Sequence, residues 1–220
     1  MDDISLTDQE QTFSFKGELM RKTLHISSSI IPIGYYFLER NLLLEILLPI
    51  ILAMLLVEFL KYKSSFVYDL YLKIFKVMLR EHEFDLKRVR FNGATWLLLG
   101  DIVCIMVFPK FIAITGMLLL SLSDSFSAII GKAFGKKQYA PNRSIIGSLT
   151  FFIVGILIVF LTPKYYYSPH EYAMAAGAVF FTTLIDALNL PMDDNFAIPI
   201  ISSVLLYVLY ILFYPGIFAT

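Results

Sequence analysis

The chain has 220 residues, 58% of them hydrophobic and only 16% charged, with 18 basic side chains against 18 acidic ones. Soluble domains run nearer about 45–50% apolar and roughly 25% charged, so this balance points to a membrane protein. Zero net charge leaves no basic footprint for nucleic acid, and a single cysteine, Cys104, excludes an intrachain disulfide framework.

Residues 1–19 form a polar segment that opens "MDDISLTDQEQ". A cleavable signal peptide needs a basic start and an apolar core there, so the first membrane helix is expected to stay attached. Apolar runs follow near Leu24–Leu38, Leu42–Leu60, Ala94–Phe108, Phe111–Ile130, Ile145–Leu161, Tyr172–Leu188 and Phe196–Phe218. Against a requirement of about 20 apolar residues per crossing, they predict about seven transmembrane helices in one membrane-embedded domain spanning 1–220. The expected fold class is therefore all-α, polytopic and integral to the membrane.

Between the second and third runs, residues 62–92 read as a cytoplasmic amphipathic segment. Val67, Leu70, Tyr71, Ile74, Val77 and Met78 recur at helical spacing, with Asp69, Lys73, Lys76 and Arg80 opposite. This predicts a helix lying in the interface, its cations near anionic headgroups; a solvated basic loop is the plainer alternative. Asn92 in "RFNGATW" reads as a helix cap.

Fifteen of the 18 lysines and arginines fall in the N-terminal segment and the loops around 61–90 and 132–143, leaving Arg40, Lys110 and Lys164 for the other side. The positive-inside bias puts the N-terminus in the cytoplasm and, after seven crossings, the C-terminus on the opposite side.

Ionisable residues inside apolar runs are costly and are functional candidates by default. Asp124 ends one such run, and at helical spacing Ser121, Asp124, Ala128 and Gly131 share a small, polar face. That face could equally serve helix packing, with Asp124 paired to a buried lysine. "GKAFGKK" follows. Gly131 and Gly135 expose backbone N–H groups, and Lys132, Lys136 and Lys137 supply charge. Asn142, Arg143, Ser144, Gly147 and Ser148 then open the next helix, where N–H groups and the helix dipole favour an anion. The spacing is not that of a Walker A loop.

A second acidic cluster lies in "IDALNLPMDDNFAIP", with Asp186, Asp193, Asp194 and Asn195. Oxygen donors of this kind suit Mg²⁺; Asp193–Asn195 capping the last helix is the alternative. Near the N-terminus Lys22 and His25, three apart, share a face.

In order, "RKTLHI", "NGATWLLLGD", "LSDSFSAIIGKAFGKK", "NRSIIGS" and "IDALNLPMDDNFAIPI" resemble the membrane lipid kinases that use CTP: phytol kinases, dolichol kinases and CTP-dependent diacylglycerol kinases. The resemblance covers roughly residues 20–203; the CDP-diacylglycerol synthases are more distant relatives. It implies a cytoplasmic-facing site that binds CTP and Mg²⁺ and takes a lipid alcohol from the bilayer, with room for a homodimer. Carried over by position, Asp124 matches the aspartate before the glycine–lysine turn, and Lys132, Gly135 and Lys136 match the turn. Ser144, Gly147 and Ser148 match a Lys–Ser–x–x–Gly–Ser element, while Asp194 and Asn195 match a late Asp–Asn pair. Arg143 stands where that element usually has lysine, and Asp186 where glutamate is more usual.

The chemistry expected is phosphoryl transfer, which needs positioning and charge stabilisation above all. Asp124 and Asp194, with Asp186, are the expected Mg²⁺ ligands. Lys22, Gly131, Lys132, Gly135, Lys136, Asn142, Arg143, Ser144, Gly147, Ser148 and Asn195 are the expected nucleotide or phosphate contacts. Asp186 or His25 is the expected acceptor of the hydroxyl proton. The rival readings are cytidylyl transfer onto a lipid phosphate and a small transporter that uses Asp101 and Asp124 as an ion path.

Overall fold

The computed structural model describes residues 17–79, 90–140, 143–188 and 192–218. The helices, in chain order, are α1 (17–27), α2 (Ile30–Phe37), α3 (Arg40–Leu60), α4 (Ser65–Phe75), α5 (Gly93–Val107) and α6 (Lys110–Leu118). A π-helical turn, Leu119–Asp124, continues α6 directly into α7 (Ser125–Phe134). A short antiparallel hairpin, β1 (Gln138–Ala140) and β2 (Arg143–Ser144), precedes α8 (Ile145–Leu161), α9 (Pro169–Ala187) and α10 (Asp194–Phe213).

The all-α class stands, but the expected seven crossings do not. Among the described residues three helices are long and apolar enough to span a bilayer: Arg40–Leu60, the rod Lys110–Phe134, and Asp194–Phe213. The reason lies in where helices stop. A hydrocarbon core of about 30 Å takes about 20 residues at 1.5 Å each. The first apolar run is broken at Ser28–Ser29 into two pieces, the second of only 8 residues. α5 stops after 15 residues, because Phe108 precedes Pro109 and takes extended geometry. α8 stops after 17, just before Pro163, and α9 carries His170, Glu171 and Asp186 among its residues. The alternation of sides inferred through seven crossings loses its basis with them.

The interfacial segment also differs in detail. α4 ends at Phe75, so Val77 and Met78 fall in the turn beyond it, and the stretch 80–89 lies outside the described residues. Tyr71 points inward; Phe66, Leu70 and Ile74 stay exposed.

The rod formed by α6, the π-turn and α7 is the centre of the bundle. Its apolar stretch is 67% buried, against 22% for α3 on the periphery. α10 crosses it closely at Gly116, where an added Cβ would lie 2.7 Å from the Pro199 carbonyl oxygen. Ile112, Ala113, Met117 and Leu119 of the rod meet Ile105, Val159, Val179 and Leu206 in the main core.

Polar groups collect at the two ends of the bundle. At one end Arg40 donates to the Phe108 carbonyl (2.8 Å) and Lys110 to that of Leu38 (2.9 Å). Lys164 caps α8 there, donating to the Val159 (2.6 Å) and Thr162 (2.9 Å) carbonyls, a favourable place for a cation. Phe111 and Tyr165 pack nearby with ring centroids 6.2 Å apart. The three basic residues set apart by the sequence count thus share an end, with the site residues at the other.

Candidate functional site

The site is assembled around two ion-paired centres. In the first, Lys22 of α1 pairs with Asp124, both buried, across 102 positions of sequence. The π-turn sets this up. It ends at Asp124, which meets Lys22 of α1, while Ser121 within it accepts from Ser29, in the turn after α1, at 3.1 Å. Turns of this kind recur at functional sites. His25 is buried and lies within electrostatic reach of Asp124.

In the second centre the hairpin carries Arg143 to the junction of α9 and α10. Its guanidinium spans two carboxylates, donating to Asp186 at 2.5 Å and to Asp194 at 2.9 Å. The planar fork suits that double contact better than an ammonium would. Arg143 is also within electrostatic reach of Asp124, which joins the two centres into one field. Its own pKa stays high: burial opposes the charge, but Asp186, Asp194 and Asp124 together outweigh it. Asp186, only 8% exposed, is pushed up to about 7 by burial, with Arg143 opposing and the Asp124 charge adding to the rise. One of its oxygens is bound to Arg143; the other, Oδ1, is buried with no hydrogen-bond partner among the described residues.

Asn195 adds a second such oxygen. Its Nδ2 donates to the Gly93 carbonyl at 2.9 Å, which fixes the amide and leaves Oδ1 buried and unpartnered among the described residues. Gly93 packs close against it: an added Cβ would lie 2.6 Å from that Nδ2, and the amide would have to shift. Gly93 is held in turn by its neighbour Asn92, which caps α5 by accepting from Thr95 N at 2.8 Å, as the sequence suggests. The Asn92 backbone N–H donates to Glu58 (3.1 Å), itself ion-paired with Lys61 at 2.5 Å. The carbonyl of Gly93 carries no mark in sequence; only the glycine beside a cap residue hints at it.

The glycine–lysine turn lies beside this field. Gly131 and Gly147 bring α7 and α8 into close contact, an added Cβ at 131 falling 3.0 Å from Ser144 Oγ and 3.1 Å from the Gly147 Cα. Gly135 is as tight, 2.6 Å from the Ser144 Cβ. Ser144 caps α8 by accepting from Gly147 N (3.1 Å). Ser148 shares a hydrogen bond with Tyr139 (2.6 Å). Lys132 and Lys136 are exposed, on the last turn of α7 and just beyond it. Asn142 and the stretch 189–191 lie outside the described residues.

Among the described residues no three His, Cys, Asp or Glu side chains converge as a ready metal cage. Asp124, Asp186 and Asp194 each face a cation of the protein instead.

No protein-family model matches the chain, and no solved structure does. Curated proteins do. The CTP-dependent diacylglycerol kinase 1 of Saccharomyces cerevisiae is 27% identical over 87% of this chain and 73% of its own length. That of Eremothecium gossypii is 25% identical over 93% and 72%. That of Schizosaccharomyces pombe is 25% identical over 90% and 95%. The chain is thus a distant homologue of the CTP-dependent diacylglycerol kinases over most of its length.

Proposed function

We propose, from this distant homology together with the unpartnered oxygen of Asp186, that the chain transfers the γ-phosphoryl group of CTP to the hydroxyl of a membrane lipid alcohol such as diacylglycerol. The observation that carries the reading is the Arg143 centre. A buried carboxylate with one oxygen tied to a guanidinium and the other unpartnered has a vacancy for an O–H donor. It sits beside a cation able to face phosphate oxygens.

In the transfer, the acceptor oxygen forms a bond to the γ-phosphorus. The bond from that phosphorus to the β–γ bridging oxygen breaks, and CDP leaves with the electron pair. The hydroxyl proton passes to Asp186 Oδ1, or to His25. Arg143, Lys22, Lys132 and Lys136 balance charge on the phosphate oxygens, and the start of α8 at Ser144, Gly147 and Ser148 offers the positive end of a helix. Mg²⁺ takes oxygen ligands and commonly binds through one or two carboxylates plus substrate phosphates, so a three-residue cage is not required. Asp124, Asp194 and the open oxygen of Asn195 fit that donor set, and the ion would neutralise triphosphate charge. The positive-inside bias of the sequence favours the cytoplasmic face for the end that carries Lys22, Lys132, Lys136 and Arg143.

The test uses CTP labelled only at the γ-phosphate, with Mg²⁺ and a mixture of diacylglycerol, phytol and polyprenol. Label is expected in a chloroform-soluble lipid. Label released only as pyrophosphate, when phosphatidic acid is supplied instead, would replace this reading with cytidylyl transfer.

A further inference from the structure

Glu58 and Lys61, at the end of α3, form a buried ion pair at 2.5 Å, their side chains 2% and 0% exposed. The transfer described above makes no use of either. Burying two charges is costly even when they pair, and apolar side chains of like size commonly hold helices together as well. The pair belongs to a wider cluster. Lys61 Nζ lies 4.6 Å from the centre of the Tyr71 ring of α4. The Tyr71 hydroxyl donates to Glu58 Oε1 at 3.5 Å and accepts from Asn92 Nδ2 at 3.0 Å. The Tyr62 hydroxyl accepts from the Arg90 backbone N–H (2.9 Å) and donates to the Arg90 carbonyl (3.0 Å). The cluster thus grips both main chain and side chain of the residues that lead into α5.

Asn92 makes more bonds than a cap requires. Its Oδ1 accepts from Thr95 N, and that bond is the cap. Its backbone N–H goes to Glu58 at 3.1 Å and its Nδ2 to Tyr71, and these two contacts fix where the start of α5 lies. Asn195 rests on that start. Its Nδ2 donates to the Gly93 carbonyl at 2.9 Å. At Gly100, further along the same face of α5, an added Cβ would lie 3.1 Å from the Asn195 carbonyl oxygen. Side chain and main chain of Asn195 are therefore both seated on α5. The bond to Gly93 sets the direction of Asn195 Oδ1, which is buried and has no hydrogen-bond partner among the described residues.

We infer that Tyr71 is a positioning residue for the reaction: with Glu58 it holds Asn92, and through the Gly93 carbonyl it aims Asn195 Oδ1 into the site. None of the expected site residues lies on α4, which reads in sequence as an interfacial helix, so its buried face gains a role of its own. The ion pair gains one too. Lys61 balances Glu58, so that a carboxylate accepting from Asn92 N, Thr95 Oγ1 and Tyr71 is tolerated out of water. An apolar pair would pack there but would set no direction, and direction is what a reacting geometry needs. The inference rests on the phosphoryl-transfer reading for what Asn195 does. The link from Tyr71 to Asn195 stands on the hydrogen bonds alone.

The experiment has two readouts on the whole protein in lipid–detergent micelles. The first is an NMR spectrum with nitrogen-labelled asparagine; the chain has five asparagines, few enough for their side-chain amides to separate. The Asn195 amide is identified by its loss in Asn195→Ala. Tyr71→Phe, which removes only the hydroxyl, is expected to displace that signal, while Tyr68→Phe on the same helix leaves it in place. The second is kinetic. Tyr71→Phe is expected to lower kcat about fivefold, with the KM for CTP held within about twofold. In an Asn195→Ala background the same substitution should change kcat by less than about twofold, because both act through one group. Should Tyr71→Phe not fold, Asn92→Ser takes its place with the same expectations: serine still caps α5 but is too short to reach Tyr71. An Asn195 signal that stays put, or that moves as far in Tyr68→Phe, overturns the inference. So does an equal loss of kcat in both backgrounds, the result of a merely structural role. If the wild-type protein moves γ-label to no lipid alcohol, the phosphoryl-transfer reading fails instead, and the spectra still decide whether Tyr71 holds Asn195.

Discussion

Glu171 and Asp186 lie on the same helix, and both are buried carboxylates, yet their surroundings differ in kind. Glu171 is fully enclosed and accepts from the backbone N–H groups of Tyr165 (2.7 Å) and Tyr166 (2.9 Å) and from the Tyr210 hydroxyl. Both of its oxygens are used, and together they tie the loop after α8 to α10. Asp186, about four turns away at the other end of α9, gives one oxygen to Arg143 and keeps the other without a partner among the described residues. A saturated buried carboxylate specifies structure, while one with an open valence has room for a ligand.

The comparison is broken most severely by removing the saturated member. Glu171→Ala strands two backbone donors and a hydroxyl, each costing about 1–3 kcal/mol if left unpaired. With partial relaxation we expect a loss of about 3 kcal/mol, read as a lower thermal midpoint in detergent, while turnover per folded molecule is retained. Loss of turnover without loss of stability would place Glu171 in the site.

Asp124→Asn comes next. It keeps the shape of the side chain but removes the charge facing Lys22. Turnover is expected to fall more than tenfold, at least about 1.4 kcal/mol of barrier, in protein that still elutes as a single folded species. A variant that keeps more than about a tenth of wild-type turnover would leave the carboxylate outside the chemistry.

The mildest pair uses glycines. Gly93→Ala pushes a methyl group to 2.6 Å from Asn195 Nδ2 and must turn that amide. A drop in kcat of about fivefold is expected, near 1 kcal/mol. Gly177→Ala, within α9, meets nothing within 4 Å. It should leave activity alone and raise stability by roughly 0.5–1 kcal/mol through helix propensity. Equal effects of the two on kcat would sever Asn195 from the site.

Much of this was legible in the sequence, and for a physical reason. In a chain this apolar, Lys22, Asp124, Arg143, Asp186 and Asp194 stand out because burying charge is costly, and the structure brings all five into one electrostatic field. Their pairing was legible only in part: the alternative reading of Asp124, paired to a buried lysine, is what the structure shows, but nothing at Lys22 marks it as that lysine. Several helix bounds could be read from the apolar runs: Ile145–Leu161 is α8 as expected, and Ala94–Phe108 lies one residue from α5 at each end. The break at Ser28–Ser29 could not, because counting apolar residues carries the first run straight through it. The π-turn has no composition of its own. The hairpin that delivers Arg143 is five strand residues long and falls below any periodic signal. Gly93 acts through a carbonyl oxygen that every residue possesses.

The central claim, that the open carboxylate beside Arg143 is the reaction centre, is tested most directly by Asp186→Asn. The amide keeps the size of the side chain and an oxygen for Arg143 but takes up a proton poorly. The measurement is the initial rate of γ-label transfer from CTP to diacylglycerol, set beside the thermal midpoint of the same preparation. We predict that the rate falls about a hundredfold, in the range of a lost general base, while the midpoint moves by only a few degrees. A rate that is unchanged, or that falls only as far as the folded fraction falls, would contradict the account.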